Sequence, residues 1–172
     1  MELFPEENKK RTVLFYIENN VEQFLKIDVL REQLEQLGLV DSIAGVAFYH
    51  VMPNGEQGGA VHIDYGDSVY SFNLPIAGCD NTFVNFYSCS EQPEKRFNSA
   101  GVPYYYLDPK ACQKIDAIEM TQPYIINVKQ PHNIVNANGQ NRITLLIRLK
   151  GSWDYTAWIS RQSNCHSASR GS

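Results

Sequence analysis

Short β-prone runs separated by turn residues predict a mainly β fold for this 172-residue chain. The predicted form is a double-stranded β-helix, or jelly roll, with an N-terminal helix packed on the sheet. Three observations carry the prediction. Runs rich in Val, Ile, Tyr and Phe follow one another from Ile43 to Lys150. Turn signals fall between them at Pro53-Asn54-Gly55, Gly58-Gly59, Gly66-Asp67, Gly78 to Asn81 and Asn138-Gly139. Ahead of them stands a single stretch with helical spacing.

Taken in order, Thr12 to Ile17 reads as a short strand. Phe24, Leu25, Leu30, Leu34 and Leu37 then recur at near-helical intervals, and Gly38 is a natural stop. Strands are expected at Ile43 to Met52, Ala60 to Asp64, Val69 to Ile76, Thr82 to Ser88 and Pro103 to Leu107. Three more are expected at Tyr124 to Val128, His132 to Val135 and Ile143 to Lys150. Between Cys89 and Thr121 lies a long insert containing Tyr104, Tyr105 and Tyr106, which reads as shaping a pocket or simply as packing. The tail after Trp153 has no clear pattern, and its Ser-rich end (Ser163 to Ser172) reads as frayed. The whole chain, 1–172, is expected to be one domain with its core at about 43–150.

The chemistry-bearing residues lie on these strands. Side chains alternate along an extended strand, so His62 and Asp64 point to one face and Ile63 to the other. A polar strand face meeting solvent would show the same alternation. Further on the chain reads His132-Asn-Ile-Val-Asn-Ala-Asn-Gly-Gln-Asn-Arg142. Asn138-Gly139 predicts a hairpin, with His132 and Arg142 on adjacent antiparallel strands. On a regular strand Arg142, Thr144, Leu146 and Arg148 share a face. Two imidazoles and a carboxylate form the facial set used by non-haem Fe(II) oxygenases, which leaves open positions on the metal. A guanidinium nearby is a permanently charged fork suited to a carboxylate.

The order His62-X-Asp64, His132, Arg142 resembles the Fe(II)/2-oxoglutarate-dependent oxygenases over roughly residues 44–150. The segment from His132 to Arg142 is similar to the C-terminal motif of the aspartyl/asparaginyl β-hydroxylase-like branch. The retained Asp64 matches the prolyl-hydroxylase pattern better. The resemblance implies a cupin-like jelly roll and Fe(II) held by His62, Asp64 and His132. It also implies 2-oxoglutarate paired through Arg142, with Asn73 as a polar partner of the same co-substrate. The implied activity is hydroxylation, using O2, of an amino-acid residue in a peptide or protein, or of a small metabolite. The same residues also suit a keto-acid-independent cupin dioxygenase, a zinc hydrolase or a non-catalytic metal-binding module.

Composition excludes some classes. A net charge of −4 and the absence of a basic run give no footprint for nucleic acid. No apolar stretch approaches a membrane span, and the opening Met1 to Glu7 has no leader pattern, so a cytoplasmic location is expected. Cys79, Cys89, Cys112 and Cys165 have no zinc-finger spacing. Cys79 and Cys89 could be joined from neighbouring strands, but free thiols are expected in that compartment. His50, in an apolar strand, reads as a core or rim residue and His166 as inert. Pro53 to Gly59, rich in glycine, reads as a lid or a plain flexible loop.

Overall fold

Two antiparallel sheets face each other in a double-stranded β-helix. The computed structural model describes residues 13–16, 21–53, 59–98 and 101–168. Residues 1–12 and the tip of the loop at 54–58, where the leader and lid readings fall, lie outside them.

The strands are β1 (Val13–Tyr16), β2 (Ile43–Val51), β3 (Val61–Asp64), β4 (Tyr70–Ala77), β5 (Thr82–Cys89) and β6 (Glu94–Phe97). They continue as β7 (Pro103–Leu107), β8 (Cys112–Glu119), β9 (Tyr124–Asn127), β10 (His132–Asn136) and β11 (Arg142–Leu149). One sheet runs β1-β2-β11-β4-β9, the other β6-β7-β3-β10-β5-β8. The N-terminal helix is split into α1 (Val21–Phe24) and α2 (Asp28–Gln36). Ile27 between them is extended, and the break lets both Phe24 and Leu34 reach the core. Gly38 ends this region at φ +65°, a left-handed conformation that glycine adopts without cost. Leu39, Val46, Ile147 and Leu149 are fully buried beneath the helices, each worth up to about 1.5–3 kcal/mol in transfer terms.

Three expectations need correction. β10 and β11 do not form a hairpin, because they lie in opposite sheets. The Asn138-Gly139 turn exists, with Gly139 at φ +76°. Its side chains, however, bind the facing connection: Asn138 Nδ2 donates to the carbonyls of Gly78 (2.7 Å) and Asp80 (2.8 Å). This carries the chain across the sandwich, so β11 enters between β2 and β4. Second, Cys89 is disulfide-bonded to Cys112, its cross-strand partner in the β5–β8 register, while Cys79 is a buried free thiol. Third, the tail is helical, forming α3 (Tyr155–Ala168), and the long insert contributes β6 and β8 as well as β7. Trp153 and Trp158 tie the start of the tail to the core, and Trp158 Nε1 donates to the Leu37 carbonyl at 2.7 Å. Among the described residues no helix is long and apolar enough to cross a membrane.

Candidate metal centre

β3 and β10 are antiparallel neighbours, and His62 stands directly opposite His132. The 70-residue gap in sequence therefore closes to adjacent strands, with ring centroids 4.4 Å apart. Asp64, two residues along β3, faces the same way. Its Oδ1 lies 3.3 Å from His62 Nε2 and 4.0 Å from His132 Nε2. The three donor atoms fall within 4.8 Å of one another, close enough to bind one ion.

The outer nitrogens are also committed. His62 Nδ1 is 2.9 Å from the Ala60 carbonyl, and His132 Nδ1 is 2.8 Å from the Gln130 carbonyl. A carbonyl only accepts, so each Nδ1 carries its proton and each Nε2 lone pair faces the shared space. That is the tautomer a metal requires.

Arg148, on β11 in the opposite sheet, reaches across to Asp64, with Nη1 at 2.5 Å from Oδ2. One carboxylate oxygen is thus anchored while the other faces the imidazoles. Burial alone would raise the Asp64 pKa, but Arg148, followed by the two histidines, holds the carboxyl well below its usual range. Burial pushes His132 down to about 4, helped by the charge of His62. Burial also opposes charge on His62, but the hydrogen bond and charge of Asp64 outweigh it and raise that pKa. Of the two imidazoles, the site therefore favours charge on His62 and disfavours it on His132.

These groups line a cavity of about 380 Å³ between the sheets, together with Tyr49, Ser71, Asn73, Tyr104 and Arg142. Arg142 is 1% exposed. Its Nε donates to Thr144 Oγ1 at 2.9 Å, but Nη1 has no hydrogen-bond partner and no described carboxylate pairs with the guanidinium. Burial lowers its pKa, with Cys79 and Tyr49 opposing the shift. Leaving such a charge unpaired costs several kcal/mol, of the order of 3 to 5. The backbone leading into Arg142 is tightly packed. Gly78, at φ +60°, packs so closely under Asn141 that a Cβ would overlap the Asn141 carbonyl. Tyr49 lies on β2 opposite Thr144, and burial raises its phenol to about 12, so it remains a hydrogen-bond donor. Asn73 is buried in the cavity wall, and its Nδ2 donates to the Ser71 carbonyl at 3.0 Å.

All five residues singled out from sequence, His62, Asp64, Asn73, His132 and Arg142, line this one cavity. Arg142 comes from the opposite wall rather than from a neighbouring strand. His50 is a buried residue of β2, outside the cavity lining. Sequence reasoning gave no role to Arg148, although its even spacing from Arg142 put both on one face. Tyr49 and Ser71 had no signal, since their strand faces become visible only once β2 and β4 are placed on either side of β11.

The chain matches no protein-family model and no curated protein. Among solved structures it is similar to an oxalate decarboxylase–formate complex from Lactobacillus farciminis. That match has 12% identity and a TM-score of 0.41, over 88% of this chain and 33% of the other. It is also similar to an uncharacterized conserved protein with a double-stranded beta-helix domain from Klebsiella pneumoniae. There the identity is 14% and the TM-score 0.32, over 63% and 68% of the two chains. The chain thus spans about a third of the length of the first of these proteins. Both likenesses are distant, and the assignments below come from this chain's own residues.

Proposed function

We propose that this chain is an Fe(II)- and 2-oxoglutarate-dependent dioxygenase that hydroxylates an amino-acid residue or a small metabolite. One observation carries the reading: a buried guanidinium that no carboxylate of the described residues pairs shares a cavity with a His-Asp-His set. The cavity is short of one negative charge at Arg142 and offers a metal two imidazoles and a carboxylate. A co-substrate with a chelating end and a distal carboxylate supplies what each lacks.

His62, Asp64 and His132 would hold the iron, a donor set that suits Fe(II). When bound, iron with 2-oxoglutarate and O2 supplies the oxidising power to hydroxylate an unactivated carbon. The remaining work belongs to the chain. Arg142 binds the distal carboxylate and so rejects keto acids of the wrong length, because a misfit leaves the buried guanidinium unpaired. Tyr49 keeps its proton at working pH and adds a donor beside Arg142. Asn73 has a second amide proton to offer in the same wall. Arg148 fixes the orientation of Asp64, and the two backbone carbonyls fix the tautomers of the histidines. The partners are 2-oxoglutarate, O2 and a peptide, protein or small-metabolite substrate. Nucleic acid and membrane are not among them.

The test is iron-dependent formation of succinate from 2-oxoglutarate by purified protein. His132→Ala should abolish it, and Arg142→Ala should raise the 2-oxoglutarate requirement. Unchanged kinetics in both variants would contradict the assignment. Oxidation without the keto acid would point to a cupin dioxygenase, and iron binding without turnover to a binding module.

A further inference from the structure

We infer that the inner face of the β6–β7 ribbon is the primary-substrate subsite, and that it takes the zwitterionic headgroup of a free α-amino acid. This rests on the metal reading above and adds the substrate class.

Strand register sets the composition of this face. β7 pairs with β3, placing Tyr106 opposite His62 and Tyr104 opposite Asp64. β6 pairs with β7, placing Glu94 opposite Tyr106 and Arg96 opposite Tyr104. Directly opposed residues in antiparallel strands share a face. His62, Asp64, Tyr104, Tyr106, Glu94 and Arg96 therefore lie on one surface, the one that lines the cavity at Tyr104 and Asn98. The Tyr104 ring stands edge-on to the His62 ring at 5.8 Å. The Arg96 guanidinium lies over the Tyr106 ring at 3.6 Å, reaching diagonally back toward the strand that carries the ligands. Two strand spacings, about 10 Å, separate the β6 backbone from that strand.

At the outer end stands a single pair of opposite charges. Arg96 Nε and Nη2 both donate to Glu94 Oε2, at 3.1 and 2.6 Å. The pair is solvent-exposed, and among the described residues no hydrogen bond engages Arg96 Nη1 or Glu94 Oε1, which leaves both to a ligand. A simple anion would have to approach past the Glu94 carboxylate, and a simple cation past Arg96. A zwitterion exchanges like for like, carboxylate onto Arg96 and ammonium onto Glu94. Its side chain then points along Tyr106 and Tyr104 to the metal. A residue within a peptide has neither charge at its α-carbon, so this subsite selects the free amino acid.

The test uses Mn(II)-loaded protein and a panel of the protein-forming L-amino acids, each compared with its N-acetyl amide, in which both charges are removed. Paramagnetic broadening of ligand proton signals reports binding next to the metal and needs no turnover. The expected result is broadening of one or a few free amino acids, with the blocked forms weaker by about tenfold or more, the value of one charge-assisted contact. Arg96→Gln should remove that preference and leave Mn(II) affinity unchanged. Equal broadening of free and blocked forms, or none despite bound Mn(II), overturns the subsite and leaves the metal reading standing. Failure of Mn(II) to bind overturns both.

Discussion

Replacing Arg142 with methionine should move stability and co-substrate affinity in opposite directions. The residue is 1% exposed, its Nε donates to Thr144 Oγ1, and among the described residues Nη1 has no partner. It is a buried charge that no carboxylate of the described residues pairs. Exchanging it for an apolar chain of similar reach should leave stability unchanged or raise it by about 1–4 kcal/mol, as happens when buried ionic groups are replaced by apolar ones. In the proposed complex with 2-oxoglutarate, the same guanidinium is one half of a desolvated charge pair. Removing it should cost about 2–5 kcal/mol of binding, a weakening of roughly 30- to 4,000-fold. Thermal unfolding of the metal-free proteins gives the first quantity, and 2-oxoglutarate titration of the Fe(II)-loaded proteins gives the second. Replacing a residue that merely packed the core would lower stability and leave co-substrate affinity unchanged. Loss of stability with unchanged co-substrate affinity would refute the reasoning.

Arg148→Met should leave Asp64 unanchored and weaken metal binding by about 10- to 100-fold, the usual scale for a partner that orients a ligand. Mn(II) titration checks this, and equal affinity would remove Arg148 from the site. Reducing the Cys89–Cys112 bond, which spans 23 residues, should cost about 3 kcal/mol in denaturant unfolding, since the unfolded loop is no longer closed. The cross-link spans the base of the β6–β7 ribbon, so Mn(II) affinity should change far less than stability. Metal affinity should rise with pH by up to about tenfold per unit while His62 holds its proton, because an ion must displace it. Mn(II) binding at pH 6 and 8 reads this, and a flat response would contradict the triad. In the metal-free protein the signs differ by residue. The depressed Asp64 contributes stability above its ordinary 3.8 that is lost as pH falls. His132, held near 4, opposes folding as pH falls below 6.5. His62, with a raised pKa, contributes below 6.5 and loses that contribution as pH rises through its folded value.

Much of this was legible in the sequence because it depended on local periodicity. Alternation along β3 was enough to place His62 and Asp64 on one face, and the two short histidine strands were bounded by clear turns. The Asn138-Gly139 dipeptide showed where the chain turns but not which sheet it enters. That choice is made by Asn138 bonding to Gly78 and Asp80, 60 and 58 residues away in sequence. β8 escaped notice for a different reason. All but Cys112 and Ile118 of its residues are exposed, so it lacks the apolar alternation of a half-buried strand. The helical tail has weak amphipathic patterning as well, since it is fixed mainly by Trp153, Trp158 and their contacts with the α2 region. The Arg148–Asp64 bridge joins opposite sheets, and no local rule predicts a contact of that kind.

The central claim is that one cavity holds both a metal and a keto acid anchored on Arg142. Anaerobic addition of Fe(II) and 2-oxoglutarate to metal-stripped protein tests it directly, through the weak visible charge-transfer band of a keto acid on iron. The band should appear with the native chain and be lost in Arg142→Ala at the same co-substrate concentration. Bound iron with no band, or a band of equal strength in Arg142→Ala, would contradict the claim.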